Sequence, residues 1–229
     1  QYAGLAAAEW AWQPLFLDVD LDGHPDLLVT SGHAHDVQDR DANAVIRARQ
    51  KNYSAIANPE ERRRVFQADL LAHMRLYPKL ATPIVAFRNR GDLTFEDATA
   101  RWGTDRPGVH HGLAAADFDQ DGDLDLAVNM LNAPAALYRN RGTAPRVAIR
   151  LAGAPPNTQA IGAQLSFRAG SMPVQRQEIV SGGRYLSGSD PLAVFAAGGN
   201  PPDMSVEITW RNGRTQTVSG LEAGHAYEI

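Results

Sequence analysis

Two stretches of nine residues carry most of the chemistry this sequence can offer. The first holds Asp18, Asp20, Asp22 and Asp26; the second holds Asp117, Asp119, Asp121, Asp123 and Asp125. Both fit D-x-D-x-D-G-x-x-D. Alternate positions in a tight turn send their carboxylates to the same side, and glycine at position six (Gly23, Gly122) permits the positive φ that the reversal demands. Position seven (His24, Asp123) can turn its backbone carbonyl inward, and position nine (Asp26, Asp125) adds a further carboxylate. Carboxylates this close oppose one another's ionisation, and a hard divalent cation removes that penalty. All-oxygen ligation suits Ca²⁺, which takes roughly 6–8 oxygens, better than Mg²⁺, which keeps its waters. Two Ca²⁺ sites are therefore expected, held by Asp18, Asp20, Asp22, the His24 carbonyl and Asp26, and by Asp117, Asp119, Asp121, the Asp123 carbonyl and Asp125. An EF-hand would need Glu at position twelve; Val29 and Val128 stand there. The plain alternative is a pair of solvated acidic turns, but two copies with glycine in register and Leu27 or Leu126 at position ten favour metal.

These loops need strands to hold them. Residues 15–30 (LFLDVDLDGHPDLLVT) align with 114–129 (AAADFDQDGDLDLAVN), and VAFRNRGDLTF at 85–95 is echoed by ALYRNRGTAP at 136–145. Such duplication marks stacked supersecondary units. The apolar runs beside each loop are too short for helices, so each unit reads as strand, loop, strand. Residues 39–80 differ, being rich in Ala, Arg, Gln and Glu. Asn58 as N-cap, Pro59 at the first helical position and Glu60 and Glu61 in the first turn start a helix. Phe66, Leu70, Met74 and Tyr77 then recur at helical spacing before Pro78. The segment is expected to be a two-helix insertion packed on the edge of a β scaffold. After Pro145, short strands at 147–151, 161–167, 174–180, 206–210, 215–218 and 226–229 alternate with Gly, Pro, Asn and Ser. Asn212-Gly213 signals a tight hairpin in which both residues can take positive φ.

Composition bounds the rest. The 229 residues are 44% hydrophobic and 21% charged, which is ordinary for a globular chain and excludes disorder. Apolar runs stop well short of the roughly 18 residues a spanning helix needs, so no membrane span is expected. There is no cysteine, hence no disulfide, thiolate zinc site or cysteine nucleophile. Nine of the 26 acidic residues lie in the two loops, leaving the remainder mildly basic within a net charge of −4. The basic residues are mostly arginines scattered along the chain, which argues against a nucleic-acid partner. The chain starts at Gln1 with neither initiator Met nor signal peptide, as a processed or excerpted piece would.

The histidines offer a competing chemistry. His33, His35, His110 and His111 flank the strands that carry the loops, and imidazoles beside carboxylates can bind a transition metal or move protons. Their spacing matches no ligand motif, and no G-x-S-x-G, phosphate loop, dinucleotide fingerprint or H-E-x-x-H occurs. No catalytic residue is assigned. The alternative that remains is a metal-dependent enzyme using these four histidines near the blade loops.

The D-x-D-x-D-G-x-x-D-L units and the phrase FRNRGDLTFEDAT at 87–99 resemble the FG-GAP/VCBS repeats of integrin-α-like β-propellers. The C-terminal region resembles the ASPIC/UnbV domain. The matching residues are Asn157, Ala160 to Ala163, Arg176-Gln177-Glu178, Gly182-Gly183-Arg184-Tyr185-Leu186-Ser187 and the EITWRNG core of 206–213. Phe195-Ala196-Ala197-Gly198-Gly199 departs from the usual Gly-Leu-Gly, and Trp210-Arg211-Asn212-Gly213 from Trp-Pro-x-Gly. The resemblance implies a mainly β protein: partial β-propeller blades over 1–144 with the helical insertion at 39–80, then a small all-β, sandwich- or barrel-like domain over 145–229. It implies a calcium-binding interaction module, secreted, periplasmic or cell-surface, whose partner would be a protein or an extracellular glycan or matrix ligand. Two metal loops account for fewer blades than a full propeller, so the missing N-terminal blades or a partner subunit is expected to cover the open sheet faces.

Overall fold

A computed structural model describes residues 2–5 and 8–229; Gln1, on which the expectation of an excerpted chain rests, lies outside them. The first acidic loop joins β1 (Ala11–Leu17) to β2 (Asp26–Ser31), and β3 (Val85–Asn89) and β4 (Phe95–Asp97) complete an antiparallel sheet in the order β1-β2-β3-β4. The second loop joins β5 (His110–Ala116) to β6 (Asp125–Met130), with β7 (Ala136–Tyr138) following in a three-stranded sheet. Each is a meander of the sort expected for a partial, propeller-like blade. Leu15 and Leu28 from the first sheet meet Leu113, Ala115 and Val128 from the second in one buried cluster, closed by Ile84 and Ala86. Burying each leucine contributes about 1.5–3 kcal/mol. Gln13, 1% exposed, sits among these apolar groups without penalty. Its amide donates to the Leu113 carbonyl at 2.8 Å and accepts from the Leu113 N–H at 3.0 Å, hooking β1 to β5.

The second half is a two-sheet sandwich. Its strands are β8 (Arg146–Arg150), β9 (Gln164–Arg168), β10 (Gln175–Glu178), β11 (Leu192–Ala196), β12 (Met204–Thr209), β13 (Thr215–Leu221) and β14 (His225–Glu228). One sheet runs β10-β9-β12-β13 and the other β11-β8-β14; among the described residues no barrel closes. Alternation does the sorting: Val206 and Ile208 are fully buried while Glu207 between them is exposed. Phe167 and Phe195 stack at 4.9 Å in the middle. Gln175 and Gln177 reach from β10 to the Ala196 and Val194 carbonyls, stitching one sheet to the other. β14 lies parallel to β8. The hairpin at Asn212-Gly213 forms with a longer loop than a two-residue turn: Thr209 pairs Thr215, Trp210 N–H donates to Arg214 O at 2.8 Å, and of the two residues only Gly213 has positive φ (+82°).

Both expected helices exist. In α1 (Arg40–Ala48) the N-cap Asp39 accepts from Ala42 N–H, and in α2 (Pro59–Met74) the N-cap Asn58 accepts from Glu60 and Glu61 N–H. Caps of this kind contribute about 1 kcal/mol. The expected packing of α2 on the scaffold is not observed. No residue of α2 is buried, and Phe66, Leu70, Leu71 and Met74 face solvent. The helix touches instead the short turn Tyr53–Ala55, through an edge-on contact of Tyr53 with Phe66 and an Asp69 carboxylate shared by Lys51 and Tyr53. The insertion stabilises itself locally, and helical period alone could not reveal which surface, if any, would receive the stripe.

Candidate metal centre

The two acidic loops repeat one another bond for bond. Asp18 accepts from Asp22 N–H (3.1 Å) and Gly23 N–H (2.9 Å), as Asp117 does from Asp121 (3.1 Å) and Gly122 (2.9 Å). Asp22 accepts from His24 N–H, and Asp121 from Asp123 N–H. Gly23 and Gly122 take φ of +91° and +90°, as the motif requires, and Leu21 and Gln120 are also left-handed at +55° and +61°. Asp26, fully buried, receives Val19 N–H and Asn89 N–H, both at 2.8 Å; Asp125 receives Phe118 N–H at 3.1 Å and Asn140 N–H at 2.7 Å. Position nine therefore ties the first loop to the end of β3 and the second to the residues just past β7, using one lone pair on each carboxylate oxygen.

The carboxylates converge only in part. Asp18, Asp20 and Asp22 each bring an oxygen within 4.8 Å of the others; in the second loop the convergent trio is Asp117, Asp119 and Asp125. Asp26 stands apart from the first trio and Asp121 from the second. Burial pushes the Asp18 and Asp26 carboxyls up to about 7, against backbone donors that pull them down. Arginines press on both loops. Arg88 of β3 spans Asp20 and Asp22, and Arg139, just past β7, pairs with Asp119. Arg88 leaves Asp20 Oδ1 buried without a hydrogen-bond partner. Arg146 of β8 donates to the Asp121 carbonyl and pairs with the Asp121 carboxylate at 3.0 Å and that of Asp123 at 3.5 Å. The Asp123 side chain is 1% exposed, neither oxygen has a hydrogen bond, and burial pushes its carboxyl up to about 7.

None of these arginines was singled out from the sequence as part of the site. The signal for two of them was available: the R-N-R-G echo places Arg88 and Arg139, with Asn89 and Asn140, in equivalent positions of the repeat. Arg146 had no such signal, because it belongs to the other half of the molecule.

The four histidines do not form one group. His33 and His111 both pack against Trp12, at 6.1 and 4.7 Å between ring centroids, beside Trp10 and Tyr185. His33 Nδ1 lies 2.6 Å from the His35 carbonyl, and His35 Nδ1 lies 3.2 Å from that of Tyr77. His110 is fully buried at the root of β5, where burial lowers its pKa. Among the described residues, the clusters of three or more converging metal-ligand side chains consist of aspartates.

Comparison with known proteins recognises two segments. Residues 153–229 match the family model described as ASPIC and UnbV, and residues 69–128 match that of an FG-GAP-like repeat. Human cartilage acidic protein 1 is 42% identical to this chain over 74 residues, which is 32% of this chain and 11% of that protein. The mouse protein of the same name is 36% identical over 74 residues, 32% of this chain and 12% of its own length. The chain thus corresponds to about a tenth of the curated relatives it matches. An FG-GAP-like repeat followed by an ASPIC/UnbV region is what the sequence motifs implied.

Proposed function

We propose that this chain is a Ca²⁺-stabilised interaction module acting outside the cytoplasm, as a secreted, periplasmic or cell-surface protein. FG-GAP-like and ASPIC/UnbV segments together support the module reading, and likeness to cartilage acidic protein 1 supports the location. The observation that carries the metal is the bond-for-bond duplication of two aspartate loops, one of which holds a buried, unpartnered carboxylate oxygen on Asp20. The donor set is hard oxygen throughout, which fits Ca²⁺. Asp18, Asp20 and Asp22 with the His24 carbonyl would hold one ion, and Asp117, Asp119 and Asp125 with the Asp123 carbonyl the other, Asp26 and Asp121 joining them only if their carboxylates swing inward. Arg88 and Arg139 engage the outer carboxylates and fix their orientation. Bound Ca²⁺ supplies positive charge among the aspartates; the loop backbone then holds strand register while other surfaces meet the partner. Metal bound only by the folded chain stabilises by mass action, about 2.7 kcal/mol at a hundredfold excess over Kd. Calcium outside cells suffices even for sites of roughly 10⁻⁴–10⁻³ M.

The test is thermal unfolding with and without a chelator, followed by readdition of Ca²⁺ and elemental analysis of the purified chain. Chelation should lower the melting temperature and Ca²⁺ should restore it. An unmoved melting curve would refute the metal, and iron, copper or zinc in place of calcium would refute the assignment of Ca²⁺.

A further inference from the structure

Between the two halves lies a cleft of about 420 Å³ bounded by two strand edges. One wall is β1, an edge strand in its sheet; the other is β10, an edge strand in the sandwich. Edge strands present main-chain N–H and C=O groups that a further strand can use. Pro14 interrupts the donors of the β1 edge, whereas β10 (Gln175–Glu178) carries no proline and keeps every main-chain N–H. Phe16 stands 64% exposed at the rim. The floor is apolar, with Ala115, Leu124 and Leu192.

The charges in the cleft are uneven in their commitments. Asp190 is held by Arg150 through two hydrogen bonds, at 2.9 and 2.6 Å, and Asp18 by the amides of its own loop. Arg176 and Glu178 lie on β10 and are exposed, able to offset each other in solvent. Arg184 differs. It is half-buried, its Nε is buried without a hydrogen bond, and among the described residues no carboxylate pairs with it. The buried Nε is left without the hydrogen bond it lost to water, a costly arrangement for a charged group, and the partial desolvation also lowers the pKa. Arg184 lies in the segment 182–190, which is anchored on β5 by Ser187 Oγ to Leu113 O and Asp190 N–H to Ala115 O, so its backbone is fixed beside the cleft.

We propose that this cleft receives an extended polypeptide segment of a partner protein, adding a strand along β10 and placing an acidic side chain on Arg184. Main-chain pairing would give affinity, and the carboxylate on a planar, fork-shaped donor would give selectivity. This occupant names the partner chemistry of the interaction module and rests on that reading. The lining of the cleft includes Asp18 and Gly23 of the first acidic loop, so the ion is held constant while the cleft is probed.

The experiment is a calorimetric titration of the 229-residue chain, in calcium-containing buffer, with the capped peptide acetyl-VEVEV-amide and its glutamine counterpart acetyl-VQVQV-amide. The glutamate peptide should bind about tenfold tighter. Arg184→Gln should erase that preference, Arg184→Lys should retain part of it, and Phe16→Ala, at an exposed site, should weaken both peptides alike while the chain stays folded. Equal binding of the two peptides to the parent chain, a preference that survives in Arg184→Gln, or no binding at all would overturn the assignment. None of these results touches the chelation test, so the two readings fail separately.

Discussion

The two acidic loops share every internal hydrogen bond, yet they live in different surroundings. The first is pressed against the sandwich: Leu21, 6% exposed, packs with Ala148, Val194 and Ala196, and a Cβ on Gly23 would lie 2.8 Å from Met172 Cε. The second projects outward, with Phe118, Asp119, Gln120 and Asp121 exposed, and meets the sandwich through Arg146 and through Leu124, which packs on the edge of the cluster that buries Leu21. Burial pushes the leading aspartate of the first loop up to about 7, and in the second loop it does the same to Asp123, which unlike Asp18 has a cation, Arg146, 3.5 Å away. Local sequence dictates the turn, whereas what lies on top of it dictates how strongly its charge must be neutralised. The first loop should depend more on metal than the second.

The largest effect that separates them should come from removing the leading aspartate. Asp18→Ala should abolish most of the Ca²⁺-dependent gain in melting temperature, a loss of about 3 kcal/mol, and Asp117→Ala distinctly less; equal losses by calorimetry would erase the distinction. Next come the glycines. A left-handed Cβ costs about 1–2 kcal/mol at either site. Gly23→Ala should exceed Gly122→Ala in denaturant melts, because Met172 must also move, whereas the nearest atom to a Cβ on Gly122 is Arg146 Nε at 3.6 Å. Third, Arg146→Met should lower stability by about 1–2 kcal/mol and alter Ca²⁺ titration of the second loop only.

The smallest effect is a control on the core that both loops share. Desolvation holds the buried His110 below its ordinary 6.5. Its folded pKa is thus below the unfolded one, so its contribution is present above about pH 6.5 and lost as pH falls through the folded value. In chelator, the melting temperature of the parent chain should fall more steeply below pH 6.5 than that of His110→Gln. Identical slopes would remove His110 from the account.

Much of this was legible beforehand because the determinants were local. The Asp and Gly spacing specified the loops, the flanking apolar runs specified strands, and Asn58-Pro59 specified where α2 begins. What stayed hidden depended on distant partners. Nothing about Gln13 in the sequence shows that Leu113, a hundred positions away, satisfies its amide. The stripe on α2 has correct period but meets solvent. The histidines, a strand's length from the loops in sequence, go elsewhere: His33 and His111 to Trp12, His35 to the Tyr77 carbonyl and His110 into the interior. Arg146 joins the second loop only because the sandwich folds back on it.

The parallel pairing of β14 with β8 has a consequence for how the sandwich is made. The central strand of its sheet is synthesised first among these strands and its neighbour last, with Gly224 N–H bonded to Arg146 O and Ile229 N–H to Arg150 O. Closing so long a loop is slow compared with forming local hairpins. Until that final segment leaves the ribosome, β8 presents a bare flank, and a nascent chain in that interval is open to sticking to its neighbours.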